Sequence, residues 1–432
     1  MRIEPSFLHG SLRVMPSKSA SHRAALMAAL CDGESMLEPL QLSNDVQATL
    51  GCMKALGLAQ ARFEPLPGGD GFVRCHVTGG LTPTGNGLER VADCGESGST
   101  LRFLMPLALD GCGPVRFVGH GRLMERPLDV YRTLFAAQSV LWRDEPGAIV
   151  LDGQLRGGDF SLRGDVSSQF ITGLLLALPR LAEDSRIHIT TPLESRAYVE
   201  LTRDMQMRFG ITSAWEDAHT LFVPGRQYAR TPGTVTVEGD WSHAAFYLVA
   251  GLIGGGVTLT GLDARSVQGD RAIVEVLRAM GGALSWTEGA ITAKPSALHG
   301  VDVDASQIPD LVPVLAVAAC AAQGTTRITG AARLRIKESD RLAAMAQELT
   351  HLGAQVEELP DGLVIHGGRK LAGTQVEGHN DHRIVMSLCI ASALCTGALC
   401  VTDAQAVGKS APRFFEEFTQ LGGIAHARQL GK

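Results

Sequence analysis

Six segments of the chain are apolar on nearly every side. They run from Ser19 to Gly33, Ser97 to Gly111, Ser167 to Ala182, Ser242 to Gly256, Pro309 to Gly324 and Asp381 to Gly397. A helix that is apolar all round belongs inside a core. After the second to sixth come short β-rich stretches, at Gly113–Val118, Arg186–Thr190, Val257–Thr260, Thr325–Thr329 and Leu399–Thr402. A second kind of piece alternates with these. It is a mixed polar and apolar helix that stops at Gly57, Ser139, Gly210, Gly281, Gly353 or Gly422, followed by a hairpin. Glycine suits such a stop because a helix commonly closes on a residue at positive φ, where a Cβ is penalised. Apolar alternation after the stop, as at Leu284 and Trp286 or from Val356 to Leu359, predicts strands.

Each unit therefore reads strand, buried helix, strand, surface helix, strand, strand, and six such units fill the chain. Successive stops lie roughly 70 to 80 residues apart, and fixed-period recurrence of two separate pieces marks a repeat architecture. No unit is large enough to stand alone, so two domains of three units are expected, with the buried helices packed together in each. The fold class is α/β.

Composition narrows the function. Of 432 residues, 45% are hydrophobic, 19% charged and 5% aromatic, and 50 are glycine. Lys plus Arg number 39 and Asp plus Glu 45, a net charge of −6. Wholesale disorder is excluded, and a chain that coats nucleic acid would be basic. Met1 to Gly10 lacks a basic region followed by an apolar one, and no apolar run is long enough to span a bilayer. The nine cysteines are scattered, with no C-x-x-C pair, which argues against a disulfide framework or a zinc site. The expectation is a cytoplasmic protein without a membrane or nucleic-acid partner.

The candidate chemistry gathers at helix starts. Lys18, Arg23, Arg102, Arg126, Lys337, Arg341, Arg383 and Lys409 are cations placed there. A helix N-terminus is already partly positive, so this placement points to anionic ligands. Small and hydroxyl residues accompany them at Ser17–Ser21, Gly95–Thr100 and Ser167–Gln169, where backbone N–H groups can approach an anion. Two common phosphate motifs fail. Gly408-Lys409-Ser410 would need glycine at 403 to complete a P-loop, and Asp403 stands there; no G-x-G-x-x-G joins a strand to a helix. No H-E-x-x-H motif marks a metal.

In order along the chain, the motifs SKSASHR, GESGSTLR, RLMERP, SSQF, IPD, KESDR and NDHR resemble those of the EPSP synthase (3-phosphoshikimate 1-carboxyvinyltransferase) family. The resemblance runs from Lys18 to Lys409. It implies a two-domain inside-out α/β barrel of six βαβαββ repeats, with residues 1–16 and 238–432 in one domain, 17–237 in the other, and the active site in the cleft between them. It implies an enzyme of the shikimate pathway for aromatic amino acid biosynthesis, which moves the enolpyruvyl group of phosphoenolpyruvate to the 5-hydroxyl of shikimate 3-phosphate. It further implies a monomer, no cofactor or metal, and competition by glyphosate at the phosphoenolpyruvate site if Gly98 leaves room for it. By the same resemblance, Lys18, Ser19, Arg23, Ser167, Ser168, Gln169, Ser195, Tyr198, Asp310 and Lys337 contact shikimate 3-phosphate. Lys18, Gly98, Arg126, Gln169, Arg341, His382, Arg383 and Lys409 form the phosphoenolpyruvate site. Asp310 and Glu338 are the acid/base pair, with Lys18 assisting.

Three positions depart from common family members. Glu96 and Arg333 stand where some have asparagine, and the S-x-P-Y of some members is Ser195-Arg196-Ala197-Tyr198. The alternatives are a UDP-N-acetylglucosamine enolpyruvyl transferase and a non-catalytic anion-binding relative. The first usually carries a cysteine in the loop that here runs Gly119–Pro127 without one; the second could dispense with Asp310 and Glu338, and both are present.

Overall fold

A computed structural model of the protein describes residues 1–68, 70–81 and 87–427. Gly69 in the first hairpin piece and Arg428 at the end of the last lie outside the described residues. The chain divides into two compact units. A continuous unit spans Pro16–Glu238, and a split unit joins Met1–Met15 to Gly239–Lys432.

The described residues form six four-stranded sheets, three in each unit. One unit of the repeat shows the plan. Strand Arg90–Asp93 leads into helix Gly98–Leu107, then strand Val115–Val118, helix Asp129–Ala137, and the hairpin Leu141–Glu145 with Ala148–Asp152. The first two strands are parallel, with Val91 opposite Arg116, and the remaining pairings are antiparallel. A parallel pair needs a crossover, and the buried helix supplies it. In the split unit, chain order is broken but the plan is kept. Strand Arg2–Glu4 lies between Leu399–Val401 and Ile424–His426, antiparallel to both, and Gly10–Arg13 pairs in parallel with Val257–Thr260 to open another sheet. In the continuous unit, Thr234–Thr236 returns from the far end to pair in parallel with Gly33–Leu40.

The six stops share one geometry. Gly57, Ser139, Gly210, Gly281, Gly353 and Gly422 all have positive φ, from 60° at Ser139 to 91° at Gly281 and Gly353. In each, the next residue's N–H reaches back five positions, as Leu58 N to Met53 O at 2.9 Å and Val140 N to Phe135 O at 3.0 Å. This is the paired carbonyl closure that a left-handed residue makes possible. Ser139 accepts that conformation without glycine's freedom.

The interhelical cores are built from the apolar helices. In Val312–Ala321 every residue from Val312 to Cys320 is buried, and in Ser168–Ala177 so is the run from Phe170 to Ala177. Each leucine wholly removed from water there contributes about 1.5–3 kcal/mol. Helix starts are capped by side chains: Ser17 accepts from Ala20 N, Ser97 from Thr100 N, Asp240 from His243 N, Asp340 from Ala343 N and Asp381 from Arg383 N. Capped, buried helices hold their first turns still, and those turns carry the candidate chemistry. Among the described residues, no helix is long and apolar enough to cross a membrane.

Candidate active site

In the continuous unit, the candidates collect on the first turns of three buried helices. Lys18 opens helix Lys18–Ala29, and its Nζ donates to Asp45 Oδ2 at 2.9 Å. Arg23, one turn on and 2% exposed, donates to Thr202 Oγ1 at 2.8 Å, Ser19 O at 2.8 Å, Tyr198 O at 3.0 Å and Thr172 Oγ1 at 3.3 Å. The rings of Phe103 and Tyr198 face its guanidinium at 5.1 and 5.8 Å. Gly98 opens helix Gly98–Leu107. A Cβ there would lie 2.7 Å from Arg126 Nη1, 2.9 Å from Arg102 Nη1 and 3.5 Å from Gln169 Oε1. Gln169 in turn joins two helices, accepting from Arg102 Nη1 at 2.7 Å and donating to Ser99 Oγ at 3.0 Å. Ser167 caps its helix through Gln169 N, and Ser168 is buried beside it. Ser195 is buried at φ 53°, and its carbonyl accepts from Tyr198 N at 3.1 Å.

In the split unit, the candidates converge on carboxylates. Arg341 opens helix Arg341–His351 and is 2% exposed. It donates to Glu338 Oε2 at 2.7 Å, Asp381 Oδ2 at 2.8 Å and Asp310 Oδ1 at 3.0 Å. Arg383 reaches the same Asp310, at its carbonyl (3.0 Å) and at Oδ2 (3.1 Å). Ser339 Oγ donates to Asp381 Oδ2 at 3.1 Å. His382 is buried at the first position of helix His382–Ala391. Lys409 ends a 3₁₀ helix, Ala404–Lys409, and its Nζ donates to Asn380 O at 2.6 Å. Arg335 ties down the segment before Arg341 by donating to Asp340 Oδ2, Leu359 O and Pro360 O at 2.7–3.0 Å.

The electrostatics follow from these partners. Burial alone would push the Asp310 carboxyl up, but Arg383, Lys337 and Arg341 hold it well below the ordinary carboxylate range. Burial pulls Lys337 down to about 8, against the attraction of Asp310. Burial opposes charge on Arg341 too, yet Asp381, Glu338 and Asp310 raise its pKa above the usual value. Arg23 lacks such help: burial lowers it to about 10, which still leaves it charged at neutral pH. Each set therefore offers cations, several of them on capped helix starts. The split unit adds two carboxylates, Asp310 and Glu338, that can move a proton.

The family model described as EPSP synthase (3-phosphoshikimate 1-carboxyvinyltransferase) matches residues 3–418. The chain belongs to the EPSP synthase family. It is 43% identical over 436 residues to the 3-phosphoshikimate 1-carboxyvinyltransferase of Clostridium novyi, covering 100% of this chain and 99% of that one. The Clostridium kluyveri protein of the same name has the same identity and coverage. The solved EPSP synthase of Acinetobacter baumannii matches with a TM-score of 0.78 at 26% identity over 97% of both chains. The enolpyruvyl transferase NikO of Streptomyces tendae, 17% identical with a TM-score of 0.78, shares the fold.

Within this EPSP synthase family member, the sequence-predicted residues divide between the units. Lys18, Ser19, Arg23, Gly98, Arg126, Ser167, Ser168, Gln169, Ser195 and Tyr198 lie in the continuous unit, and Asp310, Lys337, Glu338, Arg341, His382, Arg383 and Lys409 in the split unit. One expected placement differs. Lys409 closes a 3₁₀ helix rather than opening a helix. Cations at helix starts also meet carboxylates of their own unit, Asp45 at Lys18 and Asp310, Glu338 and Asp381 at Arg341. Arg333, set against an asparagine in some relatives, donates to Ser306 O at 2.8 Å. Sequence reasoning gave no role to Asp45 or Asp381, and counted Arg102 as a cation without placing it beside Gly98 and Gln169. Local spacing could have flagged Asp381, which sits in the N-cap position of NDHR.

Proposed function

We propose that this chain transfers the enolpyruvyl group of phosphoenolpyruvate to the 5-hydroxyl of shikimate 3-phosphate, yielding 5-enolpyruvylshikimate 3-phosphate and phosphate. The observation that carries the reading is the grouping of Arg341, Arg383 and Asp310 with Glu338. Both substrates are multiply anionic, and arginine meets phosphate and carboxylate through paired N–H groups.

The reaction needs two proton carriers. Glu338 gives a proton to the methylene carbon of phosphoenolpyruvate, and positive charge grows at C2. The shikimate hydroxyl attacks C2 and passes its proton to Asp310, forming a tetrahedral ketal. Glu338 then takes back a methyl proton as the C–O bond to phosphate breaks, and phosphate leaves with the proton from Asp310. Asp310, held ionised by its cations, begins as the acceptor. Arg341 and Arg383 stabilise charge that shifts onto the leaving phosphate.

Lys18, Ser19, Arg23, Ser167, Ser168, Gln169, Ser195, Tyr198, Asp310 and Lys337 are assigned to shikimate 3-phosphate. Lys18, Gly98, Arg126, Gln169, Arg341, His382, Arg383 and Lys409 are assigned to phosphoenolpyruvate, and Lys18 assists proton transfer. We place the enzyme in the cytoplasm, where a reducing medium suits nine free thiols. One chain supplies every assigned residue, so a monomer suffices. The test is phosphate release from phosphoenolpyruvate with each acceptor in turn. Release with shikimate 3-phosphate and none with UDP-N-acetylglucosamine is expected; the reverse preference overturns the reading.

A further inference from the structure

A second group of polar side chains lies at the far end of helix Arg341–His351, and the proposed reaction does not use it. Glu348 is 1% exposed. Its Oε1 accepts from His379 Nε2 at 2.9 Å and Gln347 Nε2 at 3.0 Å, and its Oε2 from the backbone N–H of Glu377 at 3.0 Å. His351 Nδ1 stands 3.6 Å from Oε2. One ligand atom each from Glu348, Glu377 and His379 falls within 4.8 Å of the other two.

We propose that Glu348, Glu377 and His379, with His351 in reach, bind a divalent transition-metal ion of the zinc, cobalt or nickel type. The donor set decides the class. Imidazole nitrogen with carboxylate oxygen and no thiolate suits these ions, whereas calcium and magnesium prefer oxygen alone. Spacing supports the geometry. Glu348 and His351 are three residues apart on one helix and face the same way. Glu377 and His379 approach from a second segment, so two elements grip the ion.

Bond lengths are compatible. Metal–nitrogen and metal–oxygen bonds of about 2.0–2.2 Å set neighbouring ligand atoms in a tetrahedron roughly 3.3 Å apart. The His379–Glu348 contact at 2.9 Å needs only a few tenths of an ångström of opening for an ion to replace the shared proton. The electrostatics also favour a cation. Glu348 and His351 sit in the last turn of their helix, where unpaired carbonyls make the environment negative. His379 is followed by Asn380, whose carbonyl holds Lys409, and by Asp381, which holds Arg341. A bound ion would fix the turn from which those contacts start.

The test uses the untagged full chain, stripped with a chelator and titrated with cobalt(II) alone. Visible d–d absorption and calorimetry are the readouts, and neither depends on activity. One saturable equivalent is expected. His379→Ala and Glu377→Gln should each weaken it at least about tenfold, while His219→Ala, an exposed histidine in the continuous unit, should leave it unchanged. Glu377 is exposed, so its variant keeps the test alive should the His379 variant fold poorly. Cobalt binding that is unchanged in both variants, or no saturable uptake in large excess, overturns the proposal.

Discussion

Arg23 in the continuous unit and Arg341 in the split unit are equally buried, each 2% exposed, yet they are held by opposite chemistry. Arg23 meets hydroxyls, carbonyls and ring faces. Arg341 meets three carboxylates. Neutral acceptors orient a guanidinium without cancelling its charge, so Arg23 keeps its full attraction for an anion. Carboxylates cancel charge but lock position, and they bring proton-transfer groups with them. Under the proposed assignment this is a division of labour: the continuous unit mainly attracts and orients, and the split unit also carries the proton chemistry.

The sharpest way to break that comparison is Glu338→Gln. The substitution keeps shape and an acceptor for Arg341 but removes the exchangeable proton. We expect kcat to fall by about 10²- to 10⁴-fold with the KM values changed far less, read from steady-state phosphate release. A loss confined to stability, with kcat intact, would mean that the split unit's carboxylates only anchor arginines. The next effect is on folding. Asp381 is fully buried against Arg341, so Asp381→Asn leaves a buried charge short of a partner and should cost about 3–5 kcal/mol. Asp45→Asn, at the mostly buried single pair with Lys18, should cost less, about 1–2 kcal/mol. Each unit contains two tryptophans, Trp142 and Trp215 in one and Trp241 and Trp286 in the other. Urea unfolding in a Trp142→Phe, Trp215→Phe background therefore reports the split unit, for Asp381, and in a Trp241→Phe, Trp286→Phe background the continuous unit, for Asp45. Equal costs at the two aspartates would remove the distinction.

What the sequence made legible was local. The six helix stops could be read because positive φ selects glycine, and even Ser139 was readable once the period was known. Caps at Ser17 and Ser167 and cations at Lys18 and Arg341 announce themselves within a few residues. What stayed hidden was the pairing of distant segments. Asp45 lies 27 residues from Lys18, and Asp310 is 31 residues before Arg341 and 73 before Arg383. No periodicity encodes which carboxylate meets which cation. For the same reason, the carboxylates that face Lys18 and Arg341 within their own units could not be read from the sequence. The donors around Glu348 escaped notice because they come from two segments, neither carrying a familiar metal motif.

A smaller perturbation probes the continuous unit alone. Gly98→Ala adds a methyl that would press on the Nη1 atoms of Arg126 and Arg102. Both are ends of flexible side chains, so the fold should tolerate the change, but the guanidinium positions must shift. We expect the KM for phosphoenolpyruvate to rise about ten- to a hundredfold, with the unfolding midpoint and the KM for shikimate 3-phosphate little altered. A midpoint that falls while KM holds would assign Gly98 to packing instead.

The gentlest test uses pH, at Lys337. Burial lowers this amine to about 8 from 10.5, so between those values the unfolded chain binds more protons than the folded one. Stability at this site therefore increases as pH rises from about 8 to 10.5, while the cost of burying an ammonium fades. Affinity for an anion moves the other way, because the ammonium that attracts it is being lost. With a pKa near 8 the charged fraction falls from about nine-tenths at pH 7 to one-half at pH 8, which predicts a KM for shikimate 3-phosphate that rises roughly twofold over that interval. Lys337→Arg stays charged throughout and should flatten the limb whatever its starting KM. Arg23, ionised to about 10, contributes no such limb below pH 9. If Lys337→Arg keeps the same alkaline rise, the titrating group lies elsewhere, and the split unit loses its claim to the pH-sensitive half of anion binding.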